Sequence, residues 1–487
     1  MKWKTKINHP LVFRIEGFLL LIEGLFMLTV LPVTFLHPGL YAFSMPFSAL
    51  ITLLTGLILI ISTNSHKGEK TTSRDGVYIV CISWLVLSLF GAMPFLLSKS
   101  VPNFTDGFFE ALSGFTTTGA TVLCQLEDLP RDLLLWRSMT QWIGGLAIIV
   151  FSIAILPYLS MSGMQLFVSE MNGITYDKLH PRILHTVWRI WGIYLFFTLL
   201  ETLLLFLGDM DFYDALCHSM ATLSTGGFST RTESLGAFSN YSQVVVCVFM
   251  VLAGCNFSLV LLSLTFKSFN ILRNQEFRSF LLYVLFTGAG IGLVLLFVEH
   301  HSLGTSFREA FFSVISTMTT TGFFVSDYTL WPSFLWVVLF LLMFIGACSG
   351  STSGGVKMYR HLIFVNNSIL ELKRIIHPNA VLPVKVNGKA ISSGGVYKNT
   401  TFIFVYFLVF IIGGVVLLFT GADFNTAVGA SVAALGNVGT GVGAVGPGGS
   451  YVAFSLFDKW FLMLMMLLGR VELFSLITLL SRGFWRN

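Results

Sequence analysis

Charge is what this sequence has least of. Aspartate, glutamate, lysine and arginine make up 11% of its 487 residues, against about 25% in soluble domains. With 55% hydrophobic residues and 48 phenylalanines, too little polar surface remains to clothe a core, and a soluble fold is excluded. Cysteine is scarce as well. Cys81, Cys124, Cys217, Cys247, Cys255 and Cys348 show no CxxC pairing and fall mostly in apolar segments, which reads as packing and excludes a disulfide framework or thiolate metal site. Histidine offers no chemistry either: His180, His185 and His218 are scattered, and His300 and His301 end an apolar run. No acid, nucleophile or second ligand stands with them at helical spacing, so an enzyme is not expected. The longest basic loop, about 357–398, has no glycine/serine-rich linker; it gives a partner something to grip but cannot hold an enzyme domain.

What the chain has is apolar runs, many near or beyond the roughly 20 residues that cross a bilayer as a helix. It reads as an all-α polytopic membrane protein. The formal charge of +5 is organised by loop. Lys2, Lys4, Lys6 and Arg14 precede or begin the first span; Lys67, Lys70 and Arg74 follow the second; Lys267, Arg273, Arg278, Lys357, Arg360, Lys373, Arg374, Lys385, Lys389 and Lys398 fill later alternate loops. Acids occupy the loops between: Asp106, Glu127, Asp128, Asp132, Asp209, Asp211, Asp214, Glu299, Glu309 and Asp423. The positive-inside rule places the basic loops and both termini in the cytoplasm. That accounts for the basic residues without nucleic acid, for which no basic face with interleaved aromatics exists. The first apolar run starts basic, but it is long, has no small-residue cleavage site and contains Glu23; it reads as a retained span.

Four polar loops interrupt this hydrophobic background: Thr116-Thr117-Thr118-Gly119-Ala120-Thr121, Ser224-Thr225-Gly226-Gly227-Phe228, Thr319-Thr320-Thr321-Gly322-Phe323 and Asn437-Val438-Gly439-Thr440-Gly441. A phenylalanine stands fifteen residues before Gly119, Gly227, Gly322 and Gly439 in every case: Phe104, Phe212, Phe307 and Phe424. A fixed interval of this kind marks an internal repeat. Between each phenylalanine and its loop lies a segment of about a dozen residues, which as helix rises only about 18 Å. Such a segment enters the membrane and stops halfway, and non-helical backbone at that depth is tolerated only when buried in protein or lining a water-filled path. The expected order in each repeat is span, half-helix, loop, span, the four repeats surrounding a central pore. With a leader pair at 11–36 and 46–63, ten membrane-crossing helices and four half-helices result. The expected units are 1–70 (leader pair), 71–165, 166–268, 269–385 and 386–487, one repeat in each of the last four.

The loops suit a cation. Rings of backbone carbonyls replace its hydration shell without fixed charge in the membrane, glycine allows the backbone angles required, and Thr and Ser add hydroxyl oxygens. Each half-helix also directs its negative dipole end at the same space. Helix-packing surfaces are the competing explanation for one Thr/Gly cluster; four at a constant interval favour a pore. Asp106, Asp214 and Glu309 share one repeat position, with Thr426 in the fourth, and are expected to cap the half-helices or to concentrate cations at the mouth.

These four loops, with the repeated span arrangement, resemble the Trk/Ktr/HKT superfamily of potassium-uptake proteins, in particular its bacterial TrkH/TrkG-type membrane subunit. The resemblance covers nearly the whole chain. It implies a single-chain, pseudo-fourfold filter formed by Thr117, Thr118, Gly119, Thr225, Gly226, Gly227, Thr320, Thr321, Gly322, Asn437, Val438 and Gly439. Potassium, the transported ligand, is expected at Thr117, Thr118, Thr225, Gly226, Thr320, Thr321, Asn437 and Val438, with no covalently bound cofactor. It further implies the bacterial inner membrane, a homodimer and a separate cytosolic nucleotide-binding regulator of the TrkA type. Gly119 favours potassium, since serine there goes with sodium in plant members. Sodium transport, ion-coupled symport and a non-transporting receptor or scaffold stay as alternatives at this stage.

Two more features bear on gating. The run Gly346-Ala347-Cys348-Ser349-Gly350-Ser351-Thr352-Ser353-Gly354-Gly355 is too rich in Gly and Ser for continuous helix and is expected to be an intramembrane gate. Arg470, in the matching part of the fourth repeat, is a cation inside an apolar stretch, where it faces a cavity or a partner; it is expected to act as a barrier or latch, or else to pair with Glu472 or Glu201. Two nucleotide-like patterns are decoys. Gly441-Val442-Gly443-Ala444-Val445-Gly446 follows a half-helix instead of a strand, and Gly350 to Lys357 has Val356 where a phosphate-loop lysine belongs.

Overall fold

A computed structural model describes residues 7–37, 39, 41–63, 73–154, 180–266 and 270–485. Lys2, Lys4, Lys6, Lys67, Lys70, Lys267 and Arg486 lie outside these residues, as do the expected unit boundaries near 70, 165 and 268.

The described chain is mostly helical, and the repeated order is present four times. The leader helices His9–Leu36 and Ser44–Ser62 pack on each other, the first also resting on the first repeat. The half-helices are Phe104–Phe115, Phe212–Leu223, Leu303–Met318 and Phe424–Leu435. Their leading spans are Ser73–Gly91 continued by Met93–Leu97, then His180–Phe206, Gln275–Phe297 and Ser393–Phe419. Each half-helix packs on the leading span of its own repeat. The first three also meet the second span of the preceding repeat, the fourth repeat's second span closing onto the first half-helix. That contact pattern links the fourth repeat to the first, the first to the second and the second to the third. Large apolar side chains such as Leu199, Phe286 and Phe404 stay exposed on the leading spans, an outer surface that suits hydrocarbon and not water.

The second spans are less regular than their apolar runs suggest. The first is one helix, Arg131–Ala154. The second bends by 94° between Asn240–Ala253 and Phe257–Ser263, and the fourth by 118° between Leu456–Arg470 and Leu473–Leu480. The third stops after ten residues, Ser333–Leu342. Among the described residues six helices are long and apolar enough to cross a membrane, or up to eight with each bent pair as one span. The other two of the expected ten are Arg131–Ala154, whose first two turns carry Arg131, Asp132 and Arg137, and the third second span, where the Gly/Ser run replaces helix. Beyond it, helix Met358–Ile376 leads to a short antiparallel hairpin, Lys385–Val386 with Lys389–Ala390, and the two share a small core of Tyr359, Ile363, Val384 and Val386.

The half-helices begin earlier than the acids implied, three residues earlier in the first two repeats and seven in the third. Their caps are Asn103, Asp211, Ser302 and Asp423, whose side chains accept backbone N–H groups at 2.9, 2.6, 3.3 and 3.1 Å. A cap must be the extended residue before the first turn; Asp106 and Asp214 are already inside it. They pair elsewhere, Asp106 with Lys459 at 2.7 Å and Asp214 with Arg231 at 3.1 Å. Glu309 lies in the second turn of a half-helix that starts four residues before Phe307, and sits 3.8 Å from Arg308.

Candidate functional site

All four half-helices end in the same way. The backbone N–H groups of Thr118, Gly226, Thr321 and Val438 bond back to the carbonyls of Ser113, Ala221, Ser316 and Ala433 at 2.8, 2.8, 2.9 and 2.9 Å. The residues just before them, Thr117, Thr225, Thr320 and Asn437, are left-handed, with φ of 50, 54, 56 and 53°. This is the Schellman termination, whose left-handed position glycine usually takes. A threonine there costs roughly 1–2 kcal/mol, and such strain persists only where the surroundings fix it. Two residues on, Gly119, Gly227, Gly322 and Gly439 have φ of 81, 77, 80 and 80°. Left-handed residues separated by one with negative φ turn successive carbonyls to a common side.

The four glycines close a circle. A Cβ on Gly119 would lie 2.2 Å from the carbonyl oxygen of Gly226; on Gly227, 1.8 Å from that of Thr321; on Gly322, 2.0 Å from that of Val438; on Gly439, 2.3 Å from that of Thr118. Each glycine meets the carbonyl that precedes the glycine of the next loop, and the fourth returns to the first. No side chain fits at any of the four. A cavity of about 250 Å³ opens above this ring, lined by all four glycines together with Thr121, Cys124, Arg231 and Thr440.

Around this common backbone the side chains differ by loop. Thr116 pairs its hydroxyl with Thr118, and Thr319 with Thr321, both at 2.8 Å. The amide of Asn437 donates to the Thr118 hydroxyl and to the Met466 carbonyl, each at 3.0 Å, joining the fourth loop to the first. The Thr117 hydroxyl and the Asn437 Oδ1 are buried with no protein partner. Both oxygens stand free to receive something else. Tyr451 and Thr440 donate to the carbonyls of Gly439 and Gly322 at 2.8 and 3.2 Å. Behind the first two loops, Glu110 accepts from Arg137 at 2.6 Å, from Thr121 at 2.9 Å and from the Val122 N–H at 3.0 Å. The Arg137 guanidinium lies 3.6 Å over the Phe228 ring and also reaches the Ser229 carbonyl.

The Gly/Ser run forms a loop directly against the helical side of this ring. Its base is zipped by Gly346 N–H to the Val356 carbonyl at 2.8 Å and Met358 N–H to the Ala347 carbonyl at 3.1 Å. Glu276 ties both ends, accepting from Ser349 N–H at 2.6 Å and Tyr359 N–H at 3.1 Å. At its tip Gly354 N–H donates to the Thr320 hydroxyl at 2.6 Å, and the Thr352 hydroxyl to the Leu223 carbonyl at 3.1 Å. The Lys357 ammonium folds back onto Ser353, and reaches the Ser351 hydroxyl at 3.4 Å. Gly350 and Gly355 are both left-handed, at 77 and 64°. Gly350 accepts from Phe257 N–H, and Cys348 donates to the Gly254 carbonyl, so the loop docks where the second repeat's span bends.

Arg470 is 3% exposed. Its guanidinium donates to the Thr352 carbonyl at 2.8 Å and the Gly144 carbonyl at 3.1 Å. It pairs with neither acid considered from the sequence: Glu472 takes Arg360 at 2.7 Å, and no bond joins Arg470 to Glu201. Through Thr352, which itself reaches Leu223, parts of all four repeats meet at this one arginine.

The structure therefore brings every loop residue picked from the sequence to one ring, and the Gly/Ser run with Arg470 to a second layer against it. Sequence reasoning missed Gln141, Glu110, Arg137, Glu276 and the loop role of Lys357. Glu110 and Arg137 carried a signal, being charges within apolar segments. Gln141 and Glu276 act across 85 and 73 residues of sequence, and no local pattern announces such pairs.

A family model described as a cation transport protein, TrkH, matches residues 47–484. The Trk system potassium uptake protein TrkH of Escherichia coli strain K12 is 40% identical over 444 residues, 90% of this chain and 91% of that protein. TrkG of the same strain is 36% identical over 433 residues, 87% of this chain and 88% of that one. The crystal structure of the potassium transporter TrkH from Vibrio parahaemolyticus superposes with a TM-score of 0.90 at 35% identity, covering 99% of this chain and 100% of that one. A match that spans all four loops and both layers, with relatives similar over nearly their full length, establishes that this chain belongs to the TrkH family of the Trk potassium-uptake transporters.

Proposed function

We propose that this protein carries potassium ions across the bacterial inner membrane through the ring at Gly119, Gly227, Gly322 and Gly439. The observation that carries the proposal is the closed circle of glycine-to-carbonyl contacts, since it places four equivalent backbone turns around one axis. Carbonyls and hydroxyls of Thr117, Thr118, Thr225, Gly226, Thr320, Thr321, Asn437 and Val438 supply the oxygens that replace water around the ion. Each repeat, 71–165, 166–268, 269–385 and 386–487, contributes one quadrant. Inward movement needs no coupling ion, because the membrane potential supplies about 2.3 kcal/mol per charge per 100 mV.

The loop formed by Gly346, Ser349, Gly350, Ser351, Thr352, Ser353, Gly354 and Gly355 is the gate, and Arg470 latches it. Its support is the bond from Gly354 to Thr320 and the grip of Arg470 on Thr352: a loop held at the inner threonines of a filter closes the path. Basic loops and both termini face the cytoplasm, where the 357–398 region docks a nucleotide-binding regulator of the TrkA type, in a homodimeric assembly. Growth at low potassium of a strain stripped of its own uptake systems, with the regulator supplied, tests the reading. Rescue that disappears on Gly322→Ser is the expected result; normal membrane levels without rescue by the unaltered protein would sink it.

A further inference from the structure

The second loop departs from its neighbours at one position. The residue before the ring glycine is Thr118, Thr321 or Val438 in the first, third and fourth loops, but Gly226 in the second. A Cβ built on Gly226 would lie 2.4 Å from the Cδ, 2.5 Å from the Oε1 and 2.7 Å from the Nε2 of Gln141. The amide of Gln141 thus fills the volume that a side chain fills in the other three quadrants. It is fully buried, and it bonds at both ends: Nε2 donates to the Gly226 carbonyl at 2.6 Å and Oε1 accepts the Phe228 N–H at 3.0 Å. Those two backbone groups flank Gly227, a member of the ring.

Hydroxyl pairing shows what the amide replaces. Thr118 and Thr321 are tied to Thr116 and Thr319 within their own loops. In the second loop Ser224 stands in place of the first threonine and bonds to its own helix, at Met220 and Ala221, so no side chain inside that loop fixes position 226. The fixing group comes instead from the second span of the first repeat. The matching position in the fourth repeat is Met466, since a Cβ on Gly144 or Gly469 would lie 1.9 or 2.0 Å from the corresponding carbonyl of Phe115 or Leu435. A methionine there has no amide to offer.

We infer that Gln141 is a selectivity-determining positioning residue of the pore, an amide clamp that stands in for the missing side chain of Gly226 and sets how the Gly226 carbonyl addresses the ion. The clamp and the glycine form one unit. An oxygen that accepts a 2.6 Å bond from a buried amide has one lone pair committed, so the second quadrant presents a stiffer carbonyl than its neighbours. The inference rests on the ring being the ion filter.

The test is rubidium and sodium uptake by the full-length protein in cells or proteoliposomes, with membrane levels measured in parallel. Gln141→Met keeps the bulk and removes both bonds; discrimination against sodium should fall about tenfold, in line with the loss of a buried hydrogen bond. Gln141→Glu keeps the acceptor and removes the donor, and serves the same purpose should the methionine variant fail to assemble. Gly226→Thr alone should abolish uptake through collision with the amide, while Gly226→Thr with Gln141→Ala should recover it. Unchanged selectivity in both Gln141 variants, or a double variant no better than Gly226→Thr alone, overturns the clamp. Gly322→Ser, in the neighbouring quadrant of the ring and out of contact with Gln141, separates the two ideas. Loss of uptake there with unchanged selectivity in the Gln141 variants refutes only the clamp, whereas no change at either refutes the filter and the clamp with it.

Discussion

At the scale of single residues, the informative positions are the four left-handed ones. Thr117, Thr225, Thr320 and Asn437 adopt the same backbone but end in different surroundings. The Thr117 hydroxyl has no protein partner, whereas the Thr320 hydroxyl receives Gly354 of the loop. Identical Thr→Val substitutions should therefore have different consequences. Thr117→Val removes an oxygen available to the ion and should raise the half-saturating potassium concentration about fivefold, on the order of 1 kcal/mol, without opening the gate. Thr320→Val removes the loop's anchor and should increase basal uptake in the absence of the regulator. Initial rates of rubidium uptake with and without the regulator separate them; equal effects from the two substitutions would contradict the assignment. None of this was legible beforehand. A β-branched residue is a poor candidate for left-handed backbone, so at Thr117, Thr225 and Thr320 the sequence argued against the conformation adopted, and only Asn437 suits it.

Elements were easier to read than their ends. The half-helices followed from the constant interval and the loops from their glycines, because both are local patterns. Caps were misplaced onto Asp106, Asp214 and Glu309 because acids attract attention, while the residue before the first turn does the capping. The bends at Gly254–Asn256 and Gly469–Glu472 were hidden inside apolar runs. They arise where the Gly/Ser loop docks and where Arg470 turns inward, contacts that span more than ninety residues in sequence. The loop itself was legible by composition, but the groups that hold it were not. Two cations and one carboxylate do so: Arg470 at Thr352, Lys357 at Ser351 and Ser353, and Glu276 at the base. Arg470→Ala should weaken the latch by removing two buried charge-assisted bonds, each worth about 1.5–3 kcal/mol, and raise regulator-independent uptake by at least about tenfold. Glu276→Gln should act in the same direction more weakly, since Ser349 and Tyr359 donate to one oxygen and an amide oxygen can still accept both, without the charge. Unchanged basal uptake in Arg470→Ala at normal membrane level would falsify the latch.

For the whole molecule, the ring must be held together from outside as well as at its centre, and carboxylates in the polar loops do that work. Asp209 receives the hydroxyls of Ser239 and Ser242 at 2.6 Å each and the Ser239 N–H at 2.7 Å, joining the loop after the second leading span to the start of the second span. Glu127 receives the Thr232 hydroxyl and N–H at 2.6 and 2.8 Å, joining the first repeat to the second. For both groups partial burial works to raise the carboxyl, and the donated hydrogen bonds outweigh it, so each lies below its ordinary value. A carboxylate depressed in the folded state contributes stability that is fully present above its unfolded value, about 4, and is lost as pH falls through the folded value. The thermal midpoint of the solubilised protein should accordingly show no dependence on these groups between pH 8 and about 5, and should fall below about 4. Asp209→Asn should lower the midpoint at neutral pH, because the amide offers one acceptor where the carboxylate serves three donors. It should also flatten the acid limb, because the group that titrates is gone. A variant whose acid limb runs parallel to that of the unaltered protein would place the acid sensitivity elsewhere and remove Asp209 from the account of how the ring is held.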